Sequence, residues 1–145
     1  MRVKLTMPEK SCFHCRIQVR ATDLNYGNHL GNDRILVYVQ EARVQWLASL
    51  GYTELNLEGV GLIMADAMIQ FRGEAFLHDE VNIEVAISEI QSRSFNLYYR
   101  LFTKRNSSIM EIAVAKTGMV AFNYTDKKVG FIAEIVLRKL QLIGN

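Results

Sequence analysis

The 145-residue sequence has little of what marks several protein classes. It contains one proline, half of its residues are hydrophobic and 22% are charged, a profile that excludes disordered and fibrous chains. No hydrophobic run approaches the length of a membrane-spanning helix. The N-terminal sequence MRVKLTMPEK has no continuous apolar core, so we expect no signal peptide and a cytoplasmic location. These features predict one globular domain over residues 1–145.

An excess of charge of one sign is also missing. The chain has 17 basic and 15 acidic residues and a net charge of +2. Its basic clusters are no longer than pairs such as Lys127 with Lys128 and Arg138 with Lys139, so nucleic acid is not predicted as a partner. The sequence also lacks a G-x-S-x-G elbow, a P-loop and a dinucleotide-binding fingerprint. Their absence argues against serine hydrolases and nucleotide enzymes.

Cysteine is scarce, with one C-x-x-C pair formed by Cys12 and Cys15. A zinc site needs more ligands than one such pair supplies. The pair lies at the start of an alternating apolar and polar pattern that predicts a strand over residues 11–22, and residues three apart on a strand point to opposite faces. We therefore predict two ordinary strand residues and no metal site. The same pattern places His14 on the exposed polar face.

A long apolar helix follows a loop rich in Asn, Gly and Asp at residues 23–32. Asn32 or Asp33 is expected to cap this helix, which should end near Leu50, before Gly51. Its broad apolar face predicts that it is covered on most sides, and this face contains Ile35, Leu36, Val39, Ala42, Trp46, Leu47 and Leu50. A narrower polar stripe contains Arg34, Glu41, Gln45 and Ser49.

Four later stretches alternate with period two and predict strands at residues 62–71, 80–88, 94–101 and 110–124. Short polar links around residues 78–79, 91–92 and 105–108 favour antiparallel hairpins. Gly118 predicts a bulge or bend, and residues 132–142 predict a short amphipathic helix. The predicted fold class is α+β, with a five-stranded antiparallel sheet around one long helix. Because several strands are apolar on both faces, we expect a second copy of the chain to cover the sheet.

Residues 22–43, with the sequence TDLNYGNHLGNDRILVYVQEAR, and the order of the elements resemble the hotdog fold. Specifically, they resemble the 4-hydroxybenzoyl-CoA thioesterase-like family of acyl-CoA thioesterases, which has a D-x-D-x-x-G-H-V-N-N loop before its helix. The helical positions that match the family pattern are Tyr38, Glu41, Ala42, Arg43, Trp46, Leu47 and Gly51. Weaker matches follow at Phe71-Arg72 and at residues 78–81.

This resemblance implies an acyl-CoA or acyl-carrier-protein thioesterase with its sites between the subunits of a homodimer or homotetramer. It implies no cofactor other than the coenzyme A of the substrate. The sequence departs from the family at Asn25, which replaces the loop aspartate that is the catalytic carboxylate in many relatives. An asparagine cannot accept a proton at neutral pH. Either another carboxylate has taken this role, or the protein binds acyl thioesters without hydrolysing them efficiently.

Candidate substrate-binding residues lie where the loop enters the helix. Backbone N–H groups from Gly31 to Asp33 are expected to bind the thioester oxygen, because the first N–H groups of a helix lack intrahelical partners and lie at its positive end. Tyr26, Gly31 and Asn32 are therefore predicted to contact the substrate.

The predicted catalytic residues are Asp23, Asn25, His29, Asp33 and Glu41. As general base or nucleophile, Asp23 is the nearest candidate in sequence, followed by Asp33 and Glu41. Each also has a structural explanation: Asp23 can cap a turn, Asp33 can cap the helix, and Glu41 can form a solvated ion pair. His29 is expected to orient the thioester or a carboxylate. A hotdog dehydratase or hydratase is a weaker alternative, since those enzymes tend to have Asp and His five residues apart and Asp23 and His29 are six apart.

Overall fold

The computed structural model describes residues 1–144. Its elements, in chain order, are β1 (Phe13–Gln18), α1 (Asn32–Ser49), β2 (Gly61–Phe71), β3 (Glu80–Ser88), β4 (Ser94–Arg105), β5 (Ser108–Asn123), β6 (Lys128–Val129) and α2 (Glu134–Gly144). A 3-10 turn, Ala21–Asp23, follows β1. The predicted α+β class is confirmed, with five main antiparallel strands, one long helix and a short C-terminal helix. The two-residue strand β6 was not predicted.

The sheet has the strand order β1-β3-β4-β5-β2, and β6 pairs with β5. The predicted hairpins between β3 and β4 and between β4 and β5 are confirmed. The hairpin predicted at residues 78–79 is wrong, because β2 pairs with β5 and β3 pairs with β1. Residues 72–79 form a link that is longer than a hairpin turn requires, and it carries the chain from one edge strand to an interior strand. We call residues 72–79 the β2–β3 link.

One face of α1 packs against the inner face of the sheet and forms the core. Buried core side chains from the helix include Ile35, Tyr38, Val39, Ala42, Trp46 and Leu47, and those from β3 and β4 include Val81, Ile83, Val85, Phe95, Leu97 and Tyr99. The opposite face of α1 is open, with Leu36, Val37 and Val44 each more than a third exposed. The prediction that α1 is covered on most sides is therefore wrong within the single chain, because the sheet covers one side only.

A polar chain crosses this core and joins α1 to the sheet. The buried guanidinium of Arg43 donates to Glu54 Oε1 at 3.1 Å and to the hydroxyl of Tyr99 at 3.2 Å. The hydroxyls of Tyr99 in β4 and Thr117 in β5 lie 2.8 Å apart. Across residues 1–144, every buried side-chain nitrogen and oxygen has a hydrogen-bond partner. Burial of this chain is therefore compensated at each polar atom.

The irregularity predicted at Gly118 lies in the strand opposite it. The register between β2 and β5 shifts between Met64 and Asp66, and Asp66 pairs with Gly118. The Gly118 N–H donates to Asp66 Oδ1 at 3.0 Å, and Lys116 Nζ donates to the same oxygen at 2.7 Å. A Cβ on Gly118 would lie 2.5 Å from that oxygen. Glycine thus leaves the space in which the carboxylate folds onto the neighbouring strand.

Both cysteines are free thiols, with Cys15 buried in β1 and Cys12 partly buried just before it. His14 is exposed, as predicted, and its Nε2 lies 3.0 Å from Asn82 Oδ1. In the part of the chain that the structure describes, no helix is long and apolar enough to cross a membrane.

Candidate functional site

The loop between the 3-10 turn and α1 is folded around the side chain of Asn25. Its Oδ1 accepts hydrogen bonds from the N–H groups of Gly27 at 2.8 Å and His29 at 3.4 Å. The Asn25 N–H in turn donates to the carbonyl of His29 at 2.9 Å. Asn28 has a φ of 62°, a left-handed conformation that asparagine tolerates better than most residues. The side-chain amide of Asn25, the position at which this sequence differs from the family motif, therefore stabilises the conformation of the loop.

Asp23 is the most constrained carboxylate in this region, with a side chain only 3% exposed. It accepts hydrogen bonds from the N–H, Nε and Nη2 of Arg20 at 3.1, 3.1 and 3.2 Å and from the hydroxyl of Tyr38 at 2.6 Å. Burial raises the pKa of this carboxyl, but the hydrogen bonds from Arg20 and Tyr38 outweigh burial and hold the pKa below its usual range. Asp23 thus ties the turn after β1 to helix α1.

The N-terminus of α1 begins differently from the prediction. Gly31, not Asn32 or Asp33, is the N-cap residue, and no side chain caps the helix. The Asp33 carboxylate lies beside Gly31, where an added Cβ would lie 2.5 Å from Asp33 Oδ1. The Gly31 N–H donates to the carbonyl of Asp23, so it is not available to a substrate.

The next two N–H groups remain available. The first intrahelical bond runs from the Arg34 N–H to the Gly31 carbonyl at 3.0 Å. The N–H groups of Asn32 and Asp33 precede it and have no intrahelical acceptor. They lie at the positive end of an 18-residue helix, where a developing negative charge is stabilised.

A second segment lies alongside the loop and contributes a carboxylate that the sequence did not predict. His29 pairs with Phe76 in an antiparallel bridge, and the Leu30 N–H donates to the Ala75 carbonyl at 2.8 Å. Glu74 Oε1 lies 3.7 Å from His29 Nε2. Glu74 belongs to the β2–β3 link, which lies between two predicted strands and has no periodic sequence pattern that would indicate a functional residue. Its proximity depends on the path of that link across the end of the sheet.

Glu41 lies apart from the loop. It is eight residues beyond Asp33, or about 12 Å along the helix axis. It borders a cavity of about 490 Å³ between β1 and α1, which is lined by Arg16, Ile17, Gln18, Arg20, Val37, Tyr38, Glu41 and Gln45. Glu41 Oε2 accepts a hydrogen bond from Gln45 Nε2 at 3.0 Å. Burial is the main cause that raises the pKa of the Cys15 thiol to about 11, and the negative charge of Glu41 is the second cause.

The structure therefore brings most of the predicted residues to one junction of loop and helix: Asp23, Asn25, His29, Gly31, Asn32 and Asp33. Tyr26 is fully exposed at the tip of the loop. Glu41, on the polar stripe of α1, also lies outside this junction. Over residues 1–144, no group of three or more His, Cys, Asp or Glu side chains is arranged to hold a metal ion.

Comparisons with known proteins agree with the resemblance seen in the loop and helix. The family model described as the thioesterase-like superfamily matches residues 19–140. No curated protein sequence matches the chain.

Solved structures have the same fold. The 1,4-dihydroxy-2-naphthoyl-CoA thioesterase from Synechocystis is 20% identical, with 89% of this chain and 95% of that chain covered and a TM-score of 0.78. A putative thioesterase from Pseudomonas aeruginosa is 18% identical, with 90% and 99% covered and a TM-score of 0.80. An Asp-to-Asn mutant of 4-hydroxybenzoyl-CoA thioesterase, complexed with 4-hydroxybenzoyl-CoA, is 14% identical, with 88% and 96% covered and a TM-score of 0.77.

Proposed function

Because the chain belongs to the thioesterase-like superfamily, we propose that it hydrolyses an acyl-CoA or acyl-carrier-protein thioester to a carboxylic acid and a free thiol. The observation that carries this proposal is the pair of N–H groups of Asn32 and Asp33 beside a loop that contains His29. Such a pair is suited to bind the carbonyl oxygen of the thioester, since charge develops on that oxygen during the reaction.

In the proposed reaction, a water molecule attacks the carbonyl carbon and loses a proton to a general base. The N–H groups of Asn32 and Asp33 stabilise the negative oxygen of the tetrahedral intermediate. Collapse of this intermediate breaks the carbon–sulfur bond, and the departing thiolate takes up the proton. The substrate supplies its own coenzyme A, and the residues of the junction need no further cofactor for these steps.

The residues of the junction have different proposed roles. The acceptor positions of Asp23 are occupied by Arg20 and Tyr38, which favours a positioning role over proton abstraction. Asn25 stabilises the conformation of the loop. The negative charge of Asp33 stabilises the positive N-terminal end of α1. Tyr26, at the exposed tip of the loop, is proposed to contact the substrate from the rim of the site.

The proposed assembly is a homodimer or a tetramer built from such dimers, with sites between subunits. β2 is an 11-residue edge strand, and its exposed apolar residues Met64, Met68 and Phe71 support this proposal. An unpaired edge of this length is available for pairing with another strand. Two copies of β2 in antiparallel orientation would give a self-complementary two-fold interface.

The test is the release of free thiol from aromatic, short-, medium- and long-chain acyl-CoAs and from an acyl-carrier protein. We expect turnover of at least one class, with formation of one equivalent of carboxylic acid for each thiol. Absence of thiol release from every member of this panel would contradict the proposed hydrolysis.

A second candidate function, binding of acyl thioesters without hydrolysis, is favoured by Asn25 alone. It predicts measurable affinity for a non-hydrolysable acyl-CoA by calorimetry and no thiol release by the wild-type protein. The Asn25→Asp variant, which keeps a side-chain acceptor for the loop N–H groups, then gains activity. Thiol release by the wild type at a rate equal to or above that of Asn25→Asp would exclude this alternative.

A further inference from the structure

We propose that Glu74 is the general base that activates water for thioester hydrolysis, with His29 as its positioning residue. This inference rests on the proposed function. Glu74 would take the role of the catalytic carboxylate that many relatives have at the position of Asn25. Glu74 lies outside the loop and helix on which the family resemblance depends.

Glu74 lies in the segment that pairs with the loop just before α1. The antiparallel bridge pairs His29 with Phe76, and the Leu30 N–H bonds to the Ala75 carbonyl. Continuing this register by one residue places Glu74 opposite Gly31, the N-cap of α1. Glu74 therefore belongs to the segment that runs beside the N-terminus of α1, which carries the N–H groups of Asn32 and Asp33. A base on the facing segment can reach a carbonyl carbon whose oxygen is bound by the helix.

The imidazole of His29 lies between its own loop and Glu74. Its Nδ1 lies 3.4 Å from the Leu30 carbonyl oxygen and 3.5 Å from Asn25 Nδ2. Its Nε2 faces Glu74 Oε1 at 3.7 Å, so an imidazole with its proton on Nε2 directs that N–H toward the carboxylate. Gly27 lets the ring approach the backbone, since a Cβ there would lie 3.1 Å from Nε2. The imidazole is thus held by its own loop with one edge toward Glu74.

Hydrogen bonds fix the backbone of the β2–β3 link on both sides of Glu74. The N–H groups of Arg72 and Gly73 both donate to the Ile112 carbonyl, at 2.8 and 3.1 Å. Arg105 Nη2 donates to the Glu74 carbonyl at 2.8 Å and to Asp79 Oδ2 at 2.6 Å. Glu74 is therefore fixed at its backbone, while its side chain is 59% exposed and accessible to water.

The alternative bases are less well placed. Asp23 is buried and its oxygens accept four hydrogen bonds. Asp33 projects from the same helical turn as the N–H donors, so its negative charge would lie beside the developing oxyanion and oppose it. Glu41 lies farther along α1 and faces the cavity beside β1. Glu74 combines an exposed carboxylate with a position across from the donors.

In the proposed step, the ionised carboxylate of Glu74 removes a proton from water as the water oxygen bonds to the thioester carbon. The protonated Glu74 then returns this proton to the departing thiolate when the carbon–sulfur bond breaks. One water is consumed, one carboxylic acid and one thiol are formed, and Glu74 ends ionised.

The decisive comparison is between Glu74→Gln and the control Glu134→Gln, an exposed residue in an ion pair on α2. We expect Glu74→Gln to lower kcat by about 100-fold, in line with the usual effect of general-base catalysis, with little change in KM. Glu134→Gln should retain wild-type kcat. Glu74→Asp should recover part of the lost activity, and formate should restore thiol release to Glu74→Ala, which a purely structural role would not produce.

The pH profile gives an independent readout. Wild-type kcat/KM should fall toward acid pH, and this acidic limb should be absent in Glu74→Gln. The titratable groups that contact Glu74 are His29 in the loop, at 3.7 Å from its carboxylate, and Arg105 in β4, which donates to its backbone carbonyl and also to Asp79. The His29→Gln variant removes the ionisable imidazole beside Glu74. An acidic limb of the kcat/KM profile that persists in this variant therefore does not come from His29.

The possible outcomes are distinct. Wild-type kcat in Glu74→Gln, or a large loss in Asp33→Asn with none in Glu74→Gln, would overturn the role of Glu74 while leaving the thioesterase proposal intact. Failure of formate to rescue a folded Glu74→Ala variant would also count against it. Absence of thiol release by the wild-type protein would overturn the proposed function, and the role of Glu74 with it.

Discussion

Asp23 and Tyr38 illustrate how a single hydrogen bond can define the role of an acid. The Tyr38 hydroxyl donates to Asp23 Oδ2 at 2.6 Å, and burial, then the carboxylate, raise the pKa of Tyr38. The sequence predicted Asp23 both as a candidate base and as a turn cap, because an aspartate after a strand is compatible with either. Only the structure shows that its lone pairs are already occupied, since Tyr38 is fifteen residues away.

The depressed pKa of Asp23 predicts a pH-dependent contribution to stability. A carboxyl with a lowered folded-state pKa stabilises the fold above its unfolded pKa, about 4, and this contribution is lost as pH falls through the folded pKa. Asp23→Asn should therefore lower the free energy of unfolding by about 1–3 kcal/mol at pH 7, since it weakens bonds to a buried group. The difference from wild type should shrink toward pH 2, as measured by urea denaturation.

The exposed Asp126, which accepts a hydrogen bond from Asn123 in a surface turn, provides the control. Asp126→Asn should change the unfolding free energy by no more than about 0.5 kcal/mol at either pH. An equal destabilisation by Asp23→Asn at pH 7 and pH 2 would show that the ionised carboxylate is not the source of the effect.

At the scale of elements, local patterns predicted the strands and the long helix well, because alternation and helical periodicity are carried by neighbouring residues. The start of α1 was misjudged by one residue, since Gly31 occupies the cap position and Asp33 folds back beside it. The β2–β3 link was not predictable in the same way. Its course, and hence the approach of Glu74 to His29, depends on the strand order of the whole sheet.

The link predicts a strong effect of one added methyl group. A Cβ on Gly73 would collide with the backbone carbonyl oxygen of Glu111, which has little freedom to move. Gly73→Ala should therefore lower the free energy of unfolding by about 1–3 kcal/mol, as in other cases of overpacking. Because the link must shift, kcat for thioester hydrolysis should also fall by roughly tenfold or more, in line with the cost of small misplacements in active sites.

Thermal and urea denaturation combined with the thiol assay would measure both effects. Leu77→Ala, an exposed position on the same link, is the stability control and should cost less than about 0.5 kcal/mol. Unchanged stability and activity in Gly73→Ala would mean that the link adjusts without moving Glu74.

At the scale of the whole molecule, the order of strand and helix patterns along the sequence predicted the α+β class. The same patterns did not predict the order of the strands in the sheet. A hairpin between β2 and β3 was expected because their patterns are consecutive, yet the two strands lie apart in the sheet. The expectation of a covered α1 failed within one chain, since Leu36, Val37 and Val44 remain exposed. These exposed apolar surfaces and the free edge of β2 favour assembly with a second copy.

Substitution on β2 tests this assembly. Met68 is 39% exposed on the edge strand, and Met68→Lys places a charge within the proposed interface, where two copies would bring like charges together. We expect the wild type to sediment as a dimer or tetramer and Met68→Lys to shift toward monomer, with a parallel loss of thiol release. Leu142→Lys on α2 should sediment like the wild type. A monomeric wild-type protein with full activity would contradict the proposed interface.

The polar chain formed by Arg43, Tyr99 and Thr117 has a consequence for attempts to redesign this fold. Each hydrogen bond satisfies two buried groups. Replacing one of these three residues therefore leaves a buried donor or acceptor without a partner on another element. Substitutions here should be strongly non-additive: Tyr99→Phe harms a background that keeps Arg43 and Thr117, and is far better tolerated once both are apolar. A library that varies these three positions independently would sample mostly misfolded combinations, so they should be exchanged as one unit.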